Sequence, residues 1–265
     1  MKVLYIAQEI QPFLKTTPQA DVVRELAEHT RKESAEVRVS VPRFGVIHQR
    51  KNNIHEVLRL SGVNITVGDE DISLLIQVGS IRAARLQVYF VDNEELFGRK
   101  SVLHDKEGNF YPDNHTRAIF FCKGVLRTLE HLEWSPDIIH CHGWMSSLIP
   151  LYIRKTYHRS LLFKKAKCVY TMYDDTAPPM PNLAALADDR WIEEEDLAIL
   201  KENSVEAMIK SAAKYADKVV HHFDDQEERK TTDAFLASLD AMHIPRGEQM
   251  CAKYSELYAS LLKKS

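Results

Sequence analysis

The chain has 265 residues, 45% hydrophobic, 28% charged and 9% aromatic, long enough to bury a sizeable core in one large α/β domain or two small ones. A formal net charge of −3 argues against nucleic acid as the main partner, and no apolar run approaches the length of a membrane span. The N-terminus lacks a signal-peptide pattern, and Cys122, Cys141, Cys168 and Cys251 stand far apart with no C-x-x-C spacing, so the expectation is a soluble cytoplasmic protein with reduced thiols.

Lys2–Ala7 is a short apolar run rich in β-branched and aromatic residues, which suits a buried parallel strand. A loop runs from Gln8 to Thr17. Thr17 is placed to cap a helix with Pro18 at its first position and Asp21 in its first turn, and Val22, Val23, Leu26 and Ala27 give that helix an apolar face. A strand, a loop and a helix N-terminus in this order form the place where open α/β sheets put ligands, anions in particular.

Glu36–Val41 reads as a second strand ended by Pro42, and residues 43–53 as loop. From Ile54 to Asn93 the helical period disappears. Val57–Leu60, Val63–Val67, Ile72–Val78 and Leu86–Val91 read as four strands with Gly-containing turns, an antiparallel insert in an otherwise βαβ chain. Asn93–Pro112 is a long loop with one helical turn. Regular alternation then returns, with a helix over Asp113–Glu133, a strand over Asp137–Cys141, a helix over Met145–Tyr157 and a strand over Cys168–Met172. A proline-rich loop spans Thr176–Pro181. Next come a long helix over Ile192–Tyr215, a short strand over Lys218–His221 and a helix over Asp224–Leu239. An amphipathic helix over Gln249–Leu262 aligns Tyr254, Leu257, Tyr258 and Leu261. The expected fold is therefore α/β, a single Rossmann-like, doubly wound parallel sheet over residues 1–245 with the antiparallel insert near residues 54–93. The helix within residues 246–265 is expected to pack on the same domain.

Several stretches, taken in order, resemble the N-terminal half of bacterial glycogen synthases and plant starch synthases, the ADP-glucose-dependent retaining glucosyltransferases. They are KVLYIAQEIQPFLKTTPQADVV, VSVPRFG, YFVDNEELFGR, YPDNHTRAIFF, WSPDIIHCHGW, CVYTMYDD and KYADKVV, and they cover roughly residues 1–225. The resemblance implies half of a GT-B fold, in which two Rossmann-like domains face each other across a cleft. The first domain binds the acceptor glucan and the sugar side; the second supplies most nucleotide contacts. The segment after Leu239 is too short for that second domain.

The resemblance also marks positions where this chain departs from the family. Lys15, Thr16 and Asp21 match its K-T-G-G-L-A-D-V loop, but Thr17 and Pro18 replace the glycines that approach the donor diphosphate, and Gln19 replaces the leucine. Two glycines let backbone come close to a ligand, whereas Pro18 fixes φ and removes an N–H. Gly143 stands where the family has an acid that can hold sugar hydroxyls. Tyr173 replaces the family's active-site histidine, and Asp174 the asparagine after it. Asp113 and Asn114 keep the family's Y-x-D-N look; Asp113 is also a candidate N-cap. The candidate donor- or sugar-binding residues are thus Lys15, Thr16, Asp21, Asp113, Asn114, His142, Tyr173 and Asp174, with no catalytic residue assigned because positions 143 and 173 are degenerate. No metal is expected at His140, Cys141 and His142, which alternate across a strand, nor at His221-His222, and no cofactor is expected.

The sequence supports three readings. The first is a degenerate synthase half, inactive alone, that binds an α-glucan or regulates glycogen metabolism. The second is an ADP-glucose glucosyltransferase completed by a second chain or a dimer partner covering the half-cleft. The third is a pure protein-interaction module.

Overall fold

The computed structural model describes residues 1–223 and 230–263. Its strands are β1 (Lys2–Ile6), β2 (Glu36–Pro42), β3 (His55–Glu56), β4 (Val63–Val67), β5 (Glu70–Ile81), β6 (Leu86–Asp92), β7 (Ile138–His142), β8 (Lys167–Met172), β9 (Lys218–His221) and β10 (Met242–His243). The helices are α1 (Gln19–Lys32), α2 (Glu94–Phe97), α3 (Asn114–His131), α4 (Ile149–Arg154), α5 (Leu183–Ala187), α6 (Glu194–Leu197), α7 (Val205–Tyr215), α8 (Asp233–Ser238) and α9 (Met250–Lys263).

The strands form one sheet in the order β10-β9-β8-β7-β1-β2-β6-β5-β3, with β4 paired to β5. Every neighbouring pair from β10 to β6 is parallel. The sheet is doubly wound: the chain leaves β1 toward β2 and β6, then returns to the other side of β1 with β7. At that switch the loops after β1 and β7 diverge and leave a crevice at the carboxyl ends of the strands. The buried strands are near-continuous apolar runs, and Val3, Leu4, Tyr5 and Ile6 have no exposed surface, as a sheet covered on both faces requires.

Helix α1 buries Val22, Val23, Leu26 and Ala27 on one face, with Asp21 in its first turn and His29, Arg31 and Lys32 in its last, which suits the helix dipole at both ends. Helix α9 buries Met250, Tyr254, Leu257 and Tyr258, spaced by one and two turns, and packs against α1 and the sheet.

The expectations differ from the structure at several places. Helix α1 starts at Gln19 with Pro18 at the N-cap position, one residue later than expected, while the Thr17 hydroxyl both donates to Glu9 and accepts from the Gln19 N–H at 3.2 Å. Val57–Leu60 is not a strand; Leu58–Leu60 is a 3₁₀ turn, and the short pairing falls on β3 one residue earlier. Leu86–Val91 is not confined to the antiparallel insert. It pairs antiparallel with β5 on one side and parallel with β2 on the other, so it joins the main sheet. Met145–Tyr157 splits into a 3₁₀ turn over Trp144–Ser146 and the short α4. Ile192–Tyr215 is broken at Asn203, which adopts a left-handed conformation at φ 53° and accepts from the Leu183 N–H, while Ser204 caps α7 through the Ala207 N–H. Of the helix expected over Asp224–Leu239, residues 224–229 lie outside the described residues and the remainder contains α8. The edge strand β10 is an addition to the expected set; its two exposed residues carry no periodic signal.

Candidate functional site

A cleft of about 300 Å³ lies at the carboxyl ends of β1, β8 and β9, next to the switch point. Its walls include Thr17 from the loop after β1, Gln19 at the start of α1, Tyr173, Asp174 and Asp175 after β8, and Phe223 after β9. Arg246 closes one side.

The loop after β1 is organised around Glu9, which is 1% exposed. Its carboxylate accepts from the Thr16 N–H at 2.5 Å, the Thr16 hydroxyl at 2.7 Å, the Thr17 N–H at 2.8 Å and the Thr17 hydroxyl at 2.5 Å. The backbone donors that a helix-entry loop offers to an anion are therefore already used by a carboxylate of the same loop. Lys15 points outward, 53% exposed, and sits 2.7 Å from Asp21; Asp21 also accepts from the Gln11 amide.

Gly143 has φ 71°, a conformation that L side chains rarely adopt, and a Cβ there would collide with the Gln19 amide nitrogen. Gln19 thus occupies the space in front of position 143. The same Cβ would lie 3.5 Å from Asp175 Oδ2, which accepts from the Trp144 N–H at 3.2 Å. Burial, with Asp174 and Glu9 nearby, raises the Asp175 carboxyl to about 6, against the opposing pull of the Trp144 N–H. Asp174 is different. Burial alone would raise it, but bonds from the Lys230 N–H and from the Thr231 N–H and hydroxyl hold it below the ordinary carboxylate value.

Behind the cleft lies a buried polar layer. The His222 Nδ1 faces the Ile244 carbonyl at 2.7 Å, so it carries the proton, and its Nε2 accepts from the Tyr254 hydroxyl at 3.2 Å. Tyr254 must then accept from the Thr171 hydroxyl at 2.8 Å, and Thr171 from His140 Nε2 at 2.7 Å. That leaves His140 Nδ1 to accept from Tyr258 at 2.6 Å, and the Tyr258 and Tyr5 hydroxyls meet at 3.2 Å. His142 stacks on His140 with ring centroids 3.9 Å apart, and its Nδ1 meets the Tyr173 hydroxyl at 3.0 Å. Burial lowers all three histidines, His222 to about 4, so each is neutral, as this arrangement of donors needs.

Of the sequence-derived candidates, the structure brings Tyr173 and Asp174 into the cleft wall and sets His142 behind Tyr173. Thr16 is turned into Glu9, and Lys15 and Asp21 pair with each other. Asp113 and Asn114 are elsewhere: Arg99 grips Asp113 at 2.7 and 2.5 Å, and Asn114, fully buried, donates to the Leu103 carbonyl and accepts from Arg117. Asp113 stands at the N-cap position of α3, but its side chain makes no capping bond. Sequence reasoning misses Glu9, Gln19, His222 and Arg246 as site residues. For Glu9 a signal exists, since an acid just past a strand end falls in a βα loop. His222 and Arg246 reach the cleft only through the placement of β9 and β10. Among the described residues no three His, Cys, Asp or Glu are grouped to hold a metal ion, and no helix is long and apolar enough to cross a membrane.

The doubly wound sheet with a cleft at its switch point and an antiparallel edge matches one half of a GT-B glycosyltransferase fold. The catalytic domain of starch synthase IV from Arabidopsis thaliana, solved bound to ADP and acarbose, shares this fold with a TM-score of 0.72, at 18% identity over 92% of this chain and 51% of that one. The family model of the starch synthase catalytic domain matches residues 2–222, and the chain belongs to that family. The glycogen synthases of Chlorobium luteolum and Chlorobaculum tepidum are 38% and 36% identical over 174 residues. That stretch is 65% of this chain but 36% of the length of each relative.

Proposed function

We propose that this chain is a degenerate member of the glycogen/starch synthase family that binds an α-glucan and does not transfer glucose by itself, acting as a binding or regulatory protein in glycogen metabolism. The observation that carries this reading is the Glu9 carboxylate on the Thr16 and Thr17 donors. A nucleoside diphosphate entering here would meet a buried acid instead of free N–H groups. Lys15, the cation of that loop, is paired with Asp21. The cleft is also at the small end of the range for ligand pockets, suited to a sugar ring more than to a nucleotide sugar.

The test is a titration of the full chain with ADP-glucose, ADP and maltotriose, read by calorimetry and thermal shift, since a ligand of the folded state raises its apparent stability. A response to maltotriose alone is expected. A response to ADP or ADP-glucose would overturn the reading and favour a transferase completed by a second chain or a second copy, a reading supported by the open cleft. Silence to all three would also overturn it and favour an interaction module.

A further inference from the structure

We propose that Asp175 and Gln19, which both approach the space in front of Gly143, form a hydroxyl clamp that holds one hexose ring of a neutral glucan. The proposal rests on the α-glucan reading above and names the groups that do the recognising.

The geometry is specific. Gly143 has no side chain, and the space a side chain would take is filled by the Gln19 amide from one wall and approached by Asp175 Oδ2 from the other. Both residues line the cleft, and Gln19 is itself 5% exposed. The Asp175 carboxylate receives one hydrogen bond among the described residues, from the Trp144 N–H, so it retains acceptor capacity. Asp174, by contrast, has its oxygens committed to Lys230 and Thr231. Vicinal sugar hydroxyls are paired donors, and a carboxylate accepts both, while a primary amide donates and accepts beside it. Tyr173 and Phe223 add ring surface for the apolar face of a pyranose.

The clamp is sensitive to protonation. The groups around Asp175 are Glu9 after β1, Tyr170, Tyr173 and Asp174 on or after β8, His222 after β9 and Arg246 beyond β10. The Asp175 carboxyl stands at about 6, so it is ionised above that pH and accepts two hydroxyls, and below it one oxygen is protonated and an acceptor is lost. Glucan affinity therefore rises with pH through about 6, although the ligand itself carries no charge.

The experiment is calorimetric titration of the full chain with maltotriose between about pH 5 and about pH 7.5, for the wild type, Asp175→Asn and Gln19→Ala. The wild type is expected to bind about 10-fold more tightly at the upper pH, the order of one charge-assisted hydrogen bond. D175N is expected to bind about 10-fold more weakly at the upper pH and to lose the pH step; Q19A is expected to weaken binding and keep the step. Wild-type affinity and an unchanged pH profile in D175N overturn the role of Asp175. If D175N does not fold, Q19A decides: unweakened binding, or a missing step, overturns the clamp. A wild type that binds no maltotriose at either pH refutes instead the reading on which the clamp rests.

Discussion

Acid should unfold this protein through its histidine layer, and His222 sets a measurable share of that loss. His222 is 3% exposed and its folded-state value is lowered to about 4, mainly by burial. Its unfolded value is about 6.5. Because the folded value is depressed, the unfolded chain takes up a proton that the folded chain refuses. The stability from neutral His222 is complete above about 6.5 and is lost as the pH falls toward about 4. From about pH 7 to about pH 4.5 this linkage amounts to roughly 2 kcal/mol. Asp175 works in the opposite direction, since its raised carboxyl lets the folded state bind a proton first and gain stability between about 6 and about 4. The assay must cancel that contribution. Urea unfolding followed by circular dichroism at both pH values, for the wild type and His222→Gln, does so by subtraction. The wild type should lose roughly 2 kcal/mol more than H222Q over this interval, and the His222 ring resonances should titrate near 4. Equal losses in the two proteins, or a ring titrating near 6.5, would refute the assignment of a buried neutral histidine between Tyr254 and Ile244.

Other substitutions probe the same framework. Glu9→Ala strips a buried acceptor from two backbone N–H groups and two hydroxyls, and should cost about 3 kcal/mol or more in denaturant unfolding; a loss under 1 would show that water replaces the carboxylate readily. Gly143→Ala should cost about 2 kcal/mol, from the left-handed φ of 71° together with the contact to Gln19, and thermal melting will show it. Tyr254→Phe removes the hydroxyl that joins Thr171 to His222 and leaves both short of a partner, so about 2 kcal/mol is expected in the same assay. Asp196→Ala should cost about 3 kcal/mol, because this 2%-exposed carboxylate holds Lys155 at 2.8 Å and Tyr215 at 2.5 Å, tying α6 to α7 and to the residue after α4.

The sequence displays the main sheet well because its strands are buried on both faces. Runs such as Val3 to Ile6 and Cys168 to Met172 are mostly apolar and rich in β-branched and aromatic residues, so local chemistry marks them. The long helix over Ile192–Tyr215 reads as continuous because apolar residues recur through it. Asn203 ends that continuity by taking a left-handed turn, which a tertiary bond to Leu183 stabilises; the pair Asn203-Ser204, a left-handed stop followed by an N-cap, is the local signal for the break. Position 143 announces itself as a lost acid in the chain's likeness to its family. That Gln19 fills the gap and Asp175 leans toward it depends on three loops meeting, and residues 19, 143 and 175 carry no shared periodicity. Glu9 escapes notice for a similar reason: its partners lie seven and eight residues on in an irregular loop, where no repeat relates them.

The bond between Tyr5 and Tyr258 joins positions 253 residues apart, at the middle of the sheet. During synthesis β1 carries a tyrosine whose partner is made 253 residues later, after every described strand of the sheet. Until then the face bearing Tyr5, His140 and Thr171 lacks the helix that shields it; Tyr5 can reach Thr30 and His140 can reach Thr171, but His140 Nδ1, which faces Tyr258, is left to solvent. A partly made chain can gather α1, β1 and β2 early, but it cannot dry the centre of the sheet. Loop closure over so long a span is slow, and intermediates that expose unfinished sheet surface are prone to aggregate. Shortened chains that stop before Tyr254 should therefore depend on chaperones far more than the full chain, even though every strand of the sheet is already present in them.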